Sequence, residues 1–518
     1  MRRYTSSTSL LANMGGILVL LVIYSLAAQA QSVRSRNAGI TSEQKTARYF
    51  ESIRKSPAQM LAFLRKMPKG GDLHSHLSGA VYAESYIQWA ASKGMCVNSG
   101  SMNLSQPPCD QGSGQVAATT AFSNPVLYRQ LIDAWSMRYW QYSGQNAHDH
   151  FFDTFGKFGS GTFGQMIAEV SSRAAKGQVL YLELMLTPDR GSSSLIGQQV
   201  GWDGNFEGTL DKLKSNGIDR AASDGVKALQ EAEVEKNSLL KCGTPLADPG
   251  CSVTIRYISQ VARAAPLGQV FAQMVTGFAL AHDPNSKVVA LNLVQPEDWL
   301  LPMQNFKVHM DMLDFLRPRY PQAHISLHAG ELAPGLVPPE GLTFHIRESV
   351  LKGHAERIGH GASIMNEDDP YGLLKELARR KVMIEICLTS NDTILGIGKE
   401  QHSLATYLQY GVPVALATDD EGVSRSDISR EFLKAAEGHG LNYIQLKTMA
   451  RTSLEHAFLP GQSLWADDKK FIPVSPCARD SIMADEASRG CKQYLATSEK
   501  ARLQWKLEAE FKAFERQY

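Results

Sequence analysis

Two histidines two residues apart, His74 and His76, stand in the run Gly71-Asp72-Leu73-His74-Ser75-His76-Leu77. At the end of a strand such residues project to one side of the backbone, so both imidazoles can converge on a single metal ion. Alone, the pair reads equally as two hydrogen-bonded histidines. Its weight comes from three further runs. His328-Ala329-Gly330-Glu331 follows Ile325-Ser326-Leu327, His360 closes Arg357-Ile358-Gly359, and Asp419-Asp420 follows an apolar stretch over 412–418. Four separate runs thus end in imidazoles and carboxylates. Residues of these types, delivered from separate runs to one rim, mark a candidate catalytic face.

Groups so far apart in sequence need a scaffold that brings strand ends together. Eight runs rich in β-branched and aliphatic residues, at 71–76, 179–186, 253–259, 287–294, 324–328, 357–360, 381–388 and 412–418, alternate with stretches of helical spacing such as 304–316, 371–380 and 430–436. Eight such units predict an α/β fold, a (β/α)8 TIM-type barrel, whose chemistry lies at the carboxyl ends of its strands. Residues 1–30 read as a signal peptide: Arg2-Arg3, an apolar run over 17–26, then Ala28-Gln29-Ala30. The alternative for that stretch is an uncleaved anchor. A helical lead-in fills 31–66, the barrel 67–460 with insertions near 95–124 and 191–251, and a C-terminal insertion and helix 461–518.

Six of the seven cysteines fall into close pairs: Cys96 with Cys109, Cys242 with Cys251, and Cys477 with Cys491. Six cysteines allow fifteen pairings, of which nearest-neighbour bridges are the expectation in an exported chain. Cys387, inside an apolar run, reads as a buried free thiol. Lys plus Arg (53) balance Asp plus Glu (52), so no basic field exists to hold nucleic acid. With the signal segment cleaved, no stable membrane insertion is expected, and the protein is secreted or periplasmic.

The ordered pieces Met67-Pro68-Lys69-Gly70-Gly71-Asp72-Leu73-His74-Ser75-His76, His328-Ala329-Gly330-Glu331, Arg357-Ile358-Gly359-His360-Gly361, Leu388-Thr389-Ser390-Asn391 and Thr418-Asp419-Asp420 resemble the adenosine deaminase family of metal-dependent amidohydrolases. They are most similar to its secreted growth-factor branch. The resemblance implies one Zn²⁺ per chain, held by His74, His76, His328 and Asp419, with His360 orienting or deprotonating the attacking water. Glu331 would protonate purine N1 and Asp420 would bond N7. Lys69 has no metal role, so one ion is expected rather than two. Phe151, Phe152 and Phe155 resemble the helix that lids the purine, with Phe152 as a contact, although ordinary core packing explains that spacing as well.

Two departures bear on the substrate: Ser78 stands where better-known members carry the aspartate that grips the ribose, and Gln295 follows the fourth strand where they have a glycine near N3. The implied activity is hydrolytic deamination of adenosine, or a close 6-aminopurine nucleoside, to inosine and ammonia. Alternatives are adenine, a 5′-modified or an N6-substituted adenosine as substrate, or a signalling and binding role for the barrel. A homodimer through the helix at 41–66 is an expectation by analogy with the family.

Overall fold

The computed structural model of the chain describes residues 40–480 and 487–518; the stretch read as a signal peptide lies outside them. Eight parallel strands form one sheet in chain order: β1 (Gly70–His76), β2 (Val179–Leu186), β3 (Thr254–Ala262), β4 (Val288–Val294), β5 (His324–Ala329), β6 (Arg357–His360), β7 (Met383–Ile386) and β8 (Val414–Leu416). Just beyond β8, Ser75 pairs with Asp419 in parallel. The His76 N–H donates to the Asp419 carbonyl at 3.0 Å and the Asp419 N–H to the His74 carbonyl at 2.8 Å. Thr418 Oγ1 adds a bond to Asp72 Oδ2 at 2.6 Å. These contacts join the last strand to the first, and the sheet closes as a (β/α)8 barrel.

Strand β2, Val-Leu-Tyr-Leu-Glu-Leu-Met-Leu, is buried along its whole length. A parallel strand covered by helices outside and by its neighbours inside requires such a near-continuous apolar run. All eight expected strands form, within a few residues of their expected ends.

Residues 191–251 are more regular than their sequence suggests. They build three helices, Ser192–Val200, Phe206–Ser215 and Ile218–Leu239, and the longest packs against the helices Phe163–Lys176 and Leu267–His282. Its buried stripe is Ile218, Ala221, Gly225, Leu229 and Ala232. Alanine and glycine carry much of that stripe, which gives helical spacing with little hydrophobic contrast. The stretch therefore belongs to the outer helical layer. Residues 95–124 hold a three-stranded antiparallel sheet, with Cys96 on its central strand.

The three bridges Cys96–Cys109, Cys242–Cys251 and Cys477–Cys491 form as expected, and Cys387 is buried and free. The lead-in is two helices, Ser42–Ile53 and Pro57–Lys66, split at Ser56-Pro57. Phe63 of the second packs on Phe514 of the terminal helix Glu499–Glu515, ring centroids 5.0 Å apart. Lys69 donates to the carbonyls of Leu64, Met67 and Gly177 at 2.5, 2.9 and 2.9 Å. It ties the lead-in to the barrel, well away from any metal role. Among the described residues no helix is long and apolar enough to cross a membrane.

Candidate active site

The residues singled out by sequence meet at the carboxyl ends of the barrel strands. His74 and His76 come from β1, His328 from β5, His360 from β6, and Asp419 and Asp420 from the turn after β8. Donor atoms of His74, His76, His328 and Asp419 all lie within 4.8 Å of one another. Asp419 Oδ1 is 3.4 Å from His74 Nε2 and 3.3 Å from His76 Nε2, and His76 Nε2 is 3.1 Å from His328 Nε2. A tetrahedral ion with arms of ~2.0–2.1 Å has edges of about 3.3–3.4 Å, so these spacings fit one. His74 Nε2 is fully buried without a hydrogen-bond partner, a costly condition that a bound cation removes.

Each ligand is aimed from behind. His74 Nδ1 meets Glu385 Oε2 at 2.6 Å, and His328 Nδ1 meets Asn292 Oδ1 at 2.8 Å. Both contacts place hydrogen on Nδ1 and leave the Nε2 lone pair for the ion. The Gln260 carboxamide lies 2.7 Å from His76 Nδ1, and Ser390 Oγ donates to Asp419 Oδ2 at 2.6 Å. Two glycines make room. A Cβ on Gly359 would fall 2.4 Å from His74 Cε1, and one on Gly79 would fall 1.6 Å from Asp420 Oδ1.

His360 stands beside the four but is held differently. Its Nδ1 lies 2.9 Å from Asn391 Oδ1, while Nε2 is buried, unpartnered and 3.7 Å from Glu331 Oε1. A proton-accepting nitrogen and a carboxyl thus face one another across the site. The Glu331 N–H donates to Glu297 Oε2 at 2.9 Å, which fixes the loop carrying the acid. Ser390 and Asn391 explain the Leu388-Thr389-Ser390-Asn391 motif: one serves Asp419, the other His360. His360, Asp419 and Gln295 adopt left-handed φ angles of +66°, +58° and +80°, rare for side-chain-bearing residues and concentrated here at the ends of three strands.

Above the cluster lies a cavity of about 460 Å³ that includes His76, His328, Glu331, Asp419 and Asp420 at one side and Ser78, Phe152 and Gln295 elsewhere on its wall. Phe151, Phe155 and Trp299 also line it, and Phe151 is at the same time part of a buried cluster with Met137, Ile394 and Val423. The aromatic cluster thus serves both roles its spacing allowed, as cavity wall and as core. Gln295 Oε1 accepts from the Ala264 N–H at 3.0 Å, which fixes the carboxamide and leaves its nitrogen free to donate to a ligand.

The adenosine deaminase family model matches residues 161–466, more than half of the sequence. The chain belongs to the adenosine deaminase family. The matched span starts downstream of β1, so His74 and His76 join the site through the geometry above. The adenosine deaminase of Yersinia pseudotuberculosis serotype O:1b (strain IP 31758) is 33% identical over 230 residues, 44% of this chain and 63% of that protein. That of Escherichia coli (strain SE11) is 33% identical over 196 residues, 38% of this chain and 53% of its own length. The chain thus spans less than two thirds of these relatives. The solved structure of Arabidopsis ADAL complexed with IMP superposes with a TM-score of 0.50 at 18% identity, covering 76% of this chain and 93% of that one, which supports the shared fold.

In this member of the adenosine deaminase family, burial and neighbouring charge split the titratable groups. Burial raises the Glu331 carboxyl above its ordinary range, with nearby Asp419 and Glu297 adding to the effect against His360 and Arg263. Burial and then Asp419 push Asp420 well above the usual carboxylate range. Burial pulls His76 down to about 3 and His328 well below its ordinary value. The shifts at Glu331 and Asp420 both favour the protonated carboxyl, which can donate a hydrogen bond or a proton where a carboxylate cannot.

The missed contributors, Gln260, Asn292, Glu297 and Glu385, have no motif of their own. Asn292 and Glu385 share one sequence signal: each is the single polar residue inside a run that is otherwise apolar and buried.

Proposed function

We propose that this protein is a zinc-dependent hydrolase that replaces the 6-amino group of adenosine, or a close 6-aminopurine nucleoside, by oxygen, yielding inosine and ammonia. One observation carries the reading: donor atoms of His74, His76, His328 and Asp419 gather within 4.8 Å of one another, beside a cavity that the buried Glu331 lines, with the unpartnered His360 Nε2 3.7 Å from the Glu331 carboxyl. A binding module has no use for that acid and base together.

His74, His76, His328 and Asp419 would hold one zinc ion per chain, which supplies Lewis-acid assistance and makes a water nucleophile available near neutral pH. His360 Nε2, with hydrogen fixed on its other nitrogen, accepts a proton from the attacking water. Glu331 delivers a proton to ring N1, so that C6 accepts the oxygen. Asp420, uncharged, donates to N7, an acceptor that an ionised carboxylate would repel. The water oxygen ends on C6 and the C6–N6 bond breaks. Of the two water protons, one is retained on N1 through Glu331 and the other leaves with ammonia. Phe152 and Trp299 cover the base and limit access of bulk water.

Three disulfides favour an oxidising compartment, and we place the protein outside the cytoplasm on that ground. An ultraviolet difference screen of adenine, adenosine, 5′-substituted and N6-substituted adenosines tests the function. Loss of the 6-amino chromophore from adenosine or a near relative is the expected result; no change across the panel with zinc-loaded protein would overturn it.

A further inference from the structure

Ser390 and Asn391, which serve Asp419 and His360, stand in the first turn of the helix Leu388–Leu395. That helix starts at Cys387, whose side chain caps none of the turn's N–H groups. The leading N–H groups of a helix need an acceptor from outside it. Here one comes from a neighbouring helix. Glu431, on Ile428–Gly438 and fully buried, takes the Thr389 N–H on Oε2 at 3.0 Å. Its other oxygen, Oε1, accepts from Ser426 Oγ at 3.2 Å.

Ser426 belongs to the loop that leaves Asp419 and Asp420. That loop is tied back on itself: the Ser424 N–H donates to the Asp420 carbonyl at 2.8 Å and the Ser426 N–H to the Glu421 carbonyl at 2.9 Å. One carboxyl group therefore joins the two segments that meet at the metal cluster. A helix rises only about 1.5 Å per residue, so a shift of the Thr389 peptide reaches the Ser390 hydroxyl and the Asn391 amide directly. Holding the two helices together does not require a buried acid, because an apolar side chain packs such a contact at lower cost. Lys434 and Asp392 already link the same helices at the surface, 2.7 Å apart.

We propose that Glu431 is a positioning residue of this site: by fixing the Thr389 peptide against Ser426, it sets the aim of Asp419 through Ser390 and of His360 through Asn391. This rests on the deaminase reading above and adds a layer behind it. Burial pushes the Glu431 carboxyl up to about 7, against the hydrogen bonds from Thr389 and Ser426 and the charge of Lys434. Glutamine, uncharged and of the same shape, is accordingly a close stand-in that keeps both contacts.

The test measures zinc affinity by competition with a chromophoric chelator, kcat and KM for adenosine, and melting temperature. It compares wild type, Glu431→Ala, Glu431→Gln, Ser390→Ala, the double variant Ser390→Ala/Glu431→Ala and the control Lys434→Ala. Loss of a group that orients a metal ligand costs roughly 10- to 100-fold in metal affinity or activity. Ser390→Ala should weaken zinc binding on that scale, and Glu431→Ala should lower zinc affinity and kcat by about tenfold with KM within about twofold. Glu431→Gln should recover both, and Lys434→Ala should leave both at wild-type values. Because Glu431 reaches Asp419 through Ser390, the two losses should not multiply, and the double variant should bind zinc within about threefold of Ser390→Ala. A Glu431→Ala protein that melts earlier yet keeps wild-type zinc affinity and kcat overturns the proposal, as does a double variant whose losses multiply in full. Should Glu431→Ala fail to fold, Glu431→Asp, one methylene short of Thr389, carries the same comparison. If wild type binds zinc but leaves adenosine unconverted, the deaminase reading fails while the zinc measurements still decide the role of Glu431.

Discussion

The two ends of the barrel hold similar residues in opposite conditions. At the amino-terminal end, the buried Arg357 guanidinium lies between Glu183 and Glu385 and also donates to the His456 carbonyl at 3.1 Å. Glu183 accepts further from Tyr181 and from the Phe458 N–H, at 2.7 and 2.8 Å. A cavity larger than the one over the metal cluster, about 710 Å³, opens at this end among His324, His354, Lys381, His456 and Lys500, and it contains none of the metal-fitting residues. At the carboxyl-terminal end, His74 Nε2, His360 Nε2 and Asp420 Oδ1 are buried without partners. Three such atoms gathered around one point are placed where a ligand can satisfy them. Cavity size is the poorer guide to function here. Glu385 connects the two conditions, pairing with Arg357 below and orienting His74 above.

If that contrast is right, substitutions at the two ends should fail in different assays. The largest effect belongs to Asp419→Ala, which should lose bound zinc and reduce turnover to the limit of detection. Zinc retained at one per chain would remove Asp419 from the ligand set. Glu331→Gln comes next: zinc stays, and turnover falls by roughly 10²- to 10⁴-fold, the usual contribution of a general acid. Wild-type turnover in this variant would assign the proton to another group.

At the other end the damage should appear in stability. Glu183→Ala leaves Arg357 short of a buried partner and should lower unfolding free energy by about 3–5 kcal/mol, read from urea denaturation, while folded protein keeps its zinc. Replacing Cys242 and Cys251 together by alanine opens a short loop and should cost about 2–3 kcal/mol on the chain-entropy scale, again with zinc unchanged. A variant of either kind that loses metal before it unfolds would mean that the two ends are one cooperative unit. The smallest effect is expected at Ser78→Asp, where the added carboxylate should raise the preference for adenosine over 5′-deoxyadenosine by up to about tenfold. A ratio that stays fixed would place the sugar contact on another residue.

Much of this was readable before any coordinates. Buried parallel strands are nearly continuous apolar runs, so β2, β4 and β7 declare themselves where the short β6, Arg357–His360, does not, and the ligands stand at the ends of β1, β5 and β8. The helix Ile218–Leu239 was harder, since alanine and glycine mark much of its buried face. The supporting residues were hardest. Glu297 and Gln260 act through contacts to Glu331 and His76, 34 and 184 positions away in the chain, and no local spacing encodes a pairing set by barrel closure. The Leu388-Thr389-Ser390-Asn391 motif was visible as a match, but its function, one hydroxyl for Asp419 and one amide for His360, needed the fold.

The central claim is that four residues from β1, β5 and the end of β8 hold one zinc ion without which the neighbouring acid and base do nothing. Elemental analysis and adenosine turnover measured on the same sample, before chelation, after it, and through stepwise return of zinc, test this most directly. Activity should vanish with the metal and return in proportion to zinc, reaching its full value at about one ion per chain. Full turnover by protein free of metal, or a plateau that requires two ions, would contradict the account.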